Sequence, residues 1–205
     1  MAYRRTPAIQ ARLDGQRDAL IAAAVDLLAE RGYAACSVAA VAARAGVAAG
    51  TVYKHFDSKA DLVGEVFRTV VSREVRAVRE AVGTETSVDG RVAAVVTTFA
   101  GRALKSPRLA YALLTEPVDP VVDELRLQFR IAFRDIAAEA IADGVRSGML
   151  PPQNAEVVAA ALVGAIAEAL AGPLAAGRED PDTVPTLIAF AHRAIGATEP
   201  NEEQS

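Results

Sequence analysis

The sequence predicts an all-α protein, and three observations carry that expectation. Hydrophobic residues make up 52% of the 205 positions while aromatics make up only 5%, with no tryptophan, a balance that suits helices packed closely through small side chains. Apolar residues recur at helical spacing in each long segment, as in Leu20, Ile21, Ala24, Val25 and Leu28, and no stretch stands out as alternating with the period of a strand. Turn signals near 106–107, 117–120, 148–152 and 175–181 cut the chain into helix-length pieces.

Taken in order, residues 1–16 mix arginine, proline and glutamine without apolar periodicity and read as a mobile basic arm. A first helix follows from about residue 17 and stops at Gly32, a C-cap before the apolar Tyr33. Ser37 is the N-cap of a short second helix through Arg44, although Ala40 stands where a capping box needs Glu or Gln. The segment 45–47 breaks the pattern, a third helix spans about 49–55, and Asp57-Ser58 starts a fourth that runs to about Val82. Further helices are expected over 88–105, 107–114, 120–147, 155–174 and 181–196, with a flexible tail at 198–205. The expected division is therefore an arm, a DNA-binding unit over 17–60, a helical body over 61–197 and the tail.

Several function classes are disfavoured. The N-terminus lacks the apolar segment of a secretory signal, so a cytoplasmic location is expected. Cys36 is the single cysteine and there are two histidines, which leaves no intramolecular disulfide and no metal-ligand cluster. The longest apolar run, 157–167, is shorter than the roughly 20 residues that span a bilayer, so it reads as a buried helix with no membrane role. No phosphate loop, nucleophile elbow or zinc-protease pair occurs; neither an enzyme nor a cofactor is expected. Residues 1–60 carry eight Lys/Arg against five Asp/Glu, and the remainder carries fourteen against twenty-one. A basic head on an acidic body suits a protein that meets a polyanion at one end.

Two short helices joined by a glycine-containing turn form the geometry in which one helix braces the DNA backbone and the next enters the major groove. Residues 37–56 have that layout. Three blocks then carry a resemblance: Ile21-Ala-Ala-Ala-Val-Asp-Leu-Leu-Ala-Glu-Arg-Gly-Tyr33, Val41-Ala-Ala-Arg-Ala-Gly-Val47, and Gly50-Thr-Val-Tyr-Lys-His-Phe-Asp-Ser-Lys-Ala-Asp-Leu62. Over about 17–64 the chain resembles the DNA-binding domain of the TetR family of transcriptional regulators. The resemblance implies a homodimer that binds double-stranded operator DNA as a repressor and senses a small-molecule effector. It also implies that Ala49, Gly50, Thr51 and Lys54 face the groove while Ser37, Tyr53, His55 and Lys59 hold the backbone.

Each position has a physical use. Gly50 lets the backbone approach base edges, Tyr53 and His55 offer hydrogen bonds to phosphate, and Lys59 adds its charge to a positive helix end. Arg44 is balanced between a phosphate contact and a solvated face. Ala48 and Ala49 depart from the longer polar residues usual in the family, so direct readout rests on Thr51, Lys54 and the Gly50 backbone. Val52 and Phe56 read as core.

In the body, the 120–147 helix carries an apolar stripe that needs covering. Phe99, Tyr111, Leu114, Phe129 and Phe133 fall in one region and make either a filled core or, as the resemblance implies, an effector pocket with Tyr111 or Arg134 as polar anchors. The 155–174 helix is apolar all round. Small residues at Ala161, Gly164 and Ala165 suit close approach of a second subunit, with Glu168 near that interface or exposed at its edge.

Overall fold

The computed structural model describes residues 7–178 and 180–197, and among them there are nine helices and no strand. They are α1 Pro7–Ala35, α2 Val38–Arg44, α3 Ala49–Val52, α4 Lys59–Gly83, α5 Val88–Lys105, α6 Pro107–Leu114, α7 Pro120–Arg146, α8 Ala155–Ala176 and α9 Thr183–Ile195. The all-α expectation is met. Residues 1–6, with Arg4 and Arg5 of the expected arm, and the tail 198–205 lie outside the described residues.

The boundaries follow from the caps. Ser37, Ser58, Ser87 and Asn154 each accept the backbone N–H three residues on, satisfying one of the donors a helix start leaves open. Pro107 and Pro120 occupy the first turns of α6 and α7, where the missing N–H costs nothing. Gly32 interrupts α1 with φ 75°, a conformation glycine adopts without a Cβ clash, and so turns the chain toward α2.

Three stretches differ from the sequence reading. The segment 7–16, read as an arm, is helical: Pro7 opens α1, and Gln10 donates to Asp14 one turn on at 2.9 Å. The third helix is one turn long; beyond Val52 the Lys54 and His55 N–H groups bond three residues back and the turn tightens. α8 runs to Ala176, two residues beyond the expected 174, and by length and composition alone is long and apolar enough to cross a membrane, whereas the apolar run 157–167 on its own is too short. Leu162, Ile166, Leu170 and Leu174 along one side of it are buried in the body, while Ala161, Gly164 and Glu168 are exposed.

Two apolar clusters hold the molecule together. The first joins α1, α2 and α3 to α4 through Leu20, Leu28, Val41, Val52, Phe56, Leu62 and Phe67, and extends to Phe133 and Ile136 of α7. The second joins α5, α7, α8 and α9 through Val96, Ile141, Leu170 and Ile195. α4 belongs to the head at its start and to the body along the rest of its length.

Candidate DNA-binding face and effector cavity

On the head, Val52 and Phe56 are buried, so the outward side of α3 is set by what lies between them and before them. Ser37, Ala49, Gly50 and Lys54 are exposed and Thr51 is partly so. Tyr53 is 57% exposed, a large aromatic held in water by the helix that precedes it. The structure leaves each of these groups open to solvent on the helix-turn-helix. The Ser37 oxygen caps Ala40 at 3.1 Å, which leaves its hydroxyl hydrogen free to donate.

Three residues are engaged differently from the sequence reading. Arg44 forms a two-pronged pair with Glu30, at 2.8 and 2.5 Å, which braces α2 against α1. That bond holds the Glu30 carboxyl below its usual range. The Lys59 ammonium folds back onto the head, donating to the Tyr33 carbonyl at 3.1 Å with its nitrogen 3.9 Å from the Tyr33 ring centroid. His55 turns inward: its Nε2 is buried without a hydrogen-bond partner among the described residues. Neither the Arg44 nor the Lys59 contact has a local sequence signature, because each partner lies on another element.

In the body, a cavity of about 320 Å³ opens among α4, α5, α6, α7 and α8. Phe67, Val70 and Val71 of α4 and Val163 of α8 line it, and Phe99 packs edge-on against Phe133 with ring centroids 5.0 Å apart. Of the expected pocket residues, Phe99, Leu114, Phe129 and Phe133 line it; Tyr111 and Arg134 do not. On α6, Leu109, Ala110, Leu113 and Leu114 share the cavity side, and the intervening Tyr111 is rotated away to pack on the second core cluster. On α7, residues 126, 129, 130 and 133 recur at helical spacing toward the cavity, and Arg134 lies off that stripe, paired with Asp135 at 2.8 Å. The sequence reading missed every charged residue of the lining, Glu74, Arg102, Lys105, Arg126 and Arg130, as well as the α4 and α8 walls. For Arg126 and Arg130 the available signal was that each precedes a lining phenylalanine, Phe129 or Phe133, by three residues.

Hydrogen bonds tie the cavity wall to the head. Arg126 donates to the carbonyls of Leu113 and Glu116 at 2.8 Å, closing the end of α6. The Glu116 carboxylate accepts the Tyr33 N–H at 2.9 Å, and the Tyr33 hydroxyl donates to Asp119. Burial, reinforced by Asp119, pushes the Tyr33 phenol well up, so it stays a donor. Arg108 of α6 reaches the Glu30 carbonyl at 2.6 Å.

A helix-turn-helix head mounted on a helical body with an apolar cavity is the architecture of a class of DNA-binding regulators. The sequence profile described as "Bacterial regulatory proteins, tetR family" matches residues 20–66. The chain is 30% identical over 138 residues to the transcriptional repressor KstR2 of Rhodococcus jostii, covering 65% of this chain and 67% of that protein. It is also 30% identical over 151 residues to the transcriptional activator FasR of Mycolicibacterium smegmatis, covering 73% and 68%. Among solved structures, the regulator FadR of Bacillus subtilis in complex with stearoyl-CoA superposes with a TM-score of 0.76 at 20% identity, over 88% of this chain and 98% of that one; this likeness shows the fold. The chain belongs to the TetR family and is a DNA-binding transcriptional regulator.

Proposed function

We propose that the protein is a repressor that grips a near-palindromic operator as a twofold dimer and is released from it by a small, mainly hydrophobic effector. The observation that carries this reading is the position of α4. Its first residue, Lys59, is bonded to the head through Tyr33, and about two to four turns further on Phe67, Val70, Val71 and Glu74 line the cavity. A ligand that displaces that wall moves the helix on which the head is mounted, and the Arg126–Glu116–Tyr33 bonds give the same wall a second attachment to the head. Such a ligand switches the protein only if it binds the DNA-incompetent arrangement more tightly, and about 1–3 kcal/mol of coupling is typical.

The DNA contacts are assigned to Ser37, Ala49, Gly50, Thr51, Tyr53 and Lys54, with Lys59 positioning the head. Dimerisation is assigned to α8 and α9. Ala161, Gly164 and Glu168 are exposed and Ala165 partly so on an otherwise apolar helix, and Phe190 of α9 is also exposed. A second copy covers this surface with close approach at Gly164. A twofold dimer then reads half-sites about one DNA turn apart or more, on the order of 34 Å.

Relatives support the effector class and divide on the sign: KstR2 is named a repressor, FasR an activator, and FadR was solved with stearoyl-CoA. A reporter driven by the DNA upstream of the protein's own coding sequence tests the reading. Expression rises when the protein is deleted or a hydrophobic effector is added; a fall on deletion reverses the sign, and no response to any apolar compound removes the cavity from the mechanism.

A further inference from the structure

Four side chains lining the cavity are cationic, Arg102, Lys105, Arg126 and Arg130, against the single carboxylate of Glu74. This excess lies in the acidic part of the chain, where residues 61–205 carry fourteen Lys/Arg against twenty-one Asp/Glu, so it is a local feature of the cavity. The four divide by their partners. Arg102 is bound through two nitrogens to Glu74, one of them at 2.9 Å, and the two charges cancel. Arg126 serves the α6 carbonyls and Asp123, and its side chain is only 12% exposed. Lys105 and Arg130 line the same cavity, are exposed, and have no ion pair or side-chain hydrogen bond among the described residues.

Arg130 follows Arg126 by one helical turn, the spacing at which like charges repel. Burial holds the Arg126 guanidinium below its ordinary value; Asp123 opposes this, and the Arg130 charge adds to it. An anion at this spot relieves that repulsion and takes charge-assisted hydrogen bonds, which are about twice as strong as neutral ones. Arg130 offers a planar fork and Lys105 a point charge, and both suit carboxylate or phosphate oxygens.

We propose that the effector is an amphipathic anion, with its apolar body among Phe67, Phe99, Phe133 and Val163 and its carboxylate or phosphate head held by Lys105 and Arg130. This assignment rests on the reading of the cavity as the effector site. A neutral hydrophobic ligand fills the walls and leaves both cations unused.

Calorimetric titration of the full chain with decanoate, decyl phosphate and decanol tests it. At least one of the two anions is expected to bind about tenfold or more tightly than the alcohol, a ratio in line with a hydrogen bond to a charged group. Which anion wins identifies the head as carboxylate or phosphate. In a Lys105→Ala, Arg130→Ala variant, and separately in wild type at high salt, the anion's affinity falls to that of decanol. Equal binding of all three compounds, or a preference that survives the double substitution, overturns the head-group assignment while leaving a hydrophobic effector site in place. Binding of none of them overturns the effector cavity, and this inference with it.

Discussion

The backbone N–H of Tyr33 donates to the Glu116 carboxylate at 2.9 Å, across 83 positions of sequence. Gly32 makes this bond possible, since its left-handed turn presents the N–H, and a Cβ at Gly32 would stand 3.0 Å from both Glu116 oxygens. The bond joins the end of α1 to the loop after α6, and through Arg126 to the cavity wall. A part-buried donor left without its acceptor costs about 1–3 kcal/mol. Glu116→Ala is therefore expected to lower unfolding free energy by that amount in urea titration, and to weaken the change in DNA affinity that an effector produces. A variant as stable as wild type, with full release by the effector, removes Glu116 from the coupling.

Filling the cavity separates sensing from DNA binding. Phe129 is partly buried at the cavity wall on α7, and Phe129→Trp adds bulk into the open space rather than into packed core. The variant is expected to bind operator as wild type does and to lose response to hydrophobic ligands, as read by operator anisotropy during ligand titration.

Gly164 has nothing within 4 Å of the place a Cβ would occupy. The single chain therefore tolerates a side chain there, and replacing a mid-helix glycine gains up to about 1 kcal/mol of helix propensity. A dimer packed on that glycine does not tolerate one. Gly164→Glu is expected to yield a folded, helical monomer in sedimentation velocity at micromolar concentration, where wild type is expected to sediment as a dimer. A dimeric Gly164→Glu moves the interface elsewhere.

Much of the fold was legible because its signals are local. Ser37, Ser58 and Asn154 cap the helices they precede, the prolines at 107 and 120 sit at helix starts, and the apolar period gave the helix bounds within a few residues beyond the head. The aromatic set around Phe99 and Phe133 was visible, but its direction was not: on the short α6, a single step of about 100° separates Ala110 at the cavity from Tyr111, which faces away. The roles of Arg44, Lys59 and Arg126 were out of reach for another reason. Their partners Glu30, Tyr33 and the α6 carbonyls lie on other helices, and only the assembled packing brings them within bonding distance.

Acid should loosen the body through Asp143, which accepts from Arg91 of α5 at 2.7 Å and also pairs with Arg146. The Arg91 hydrogen bond holds the Asp143 carboxyl below the ordinary aspartate range. A depressed folded value means the stabilisation is present above the unfolded aspartate pKa of about 3.9 and is lost as pH falls through the folded value. Asp143→Asn is expected to flatten the stability-pH curve below about pH 4 relative to wild type. Parallel curves for the two proteins would show that the pair contributes nothing across that window.

DNA binding is assigned to the exposed side of α3, and operator affinity of wild type against a Tyr53→Ala, Lys54→Ala variant tests it directly. Both side chains are exposed and neither takes part in the Tyr33 to Glu116 bonds, so the fold is expected to survive. Fluorescence anisotropy on the DNA upstream of the protein's own coding sequence, with excess unrelated DNA and at two salt concentrations, gives the reading. Wild type is expected to bind that DNA selectively, and the variant to lose about tenfold or more in affinity with a shallower salt dependence. Undiminished affinity in the variant, with a far-ultraviolet spectrum matching wild type, would contradict the assignment of this face to DNA.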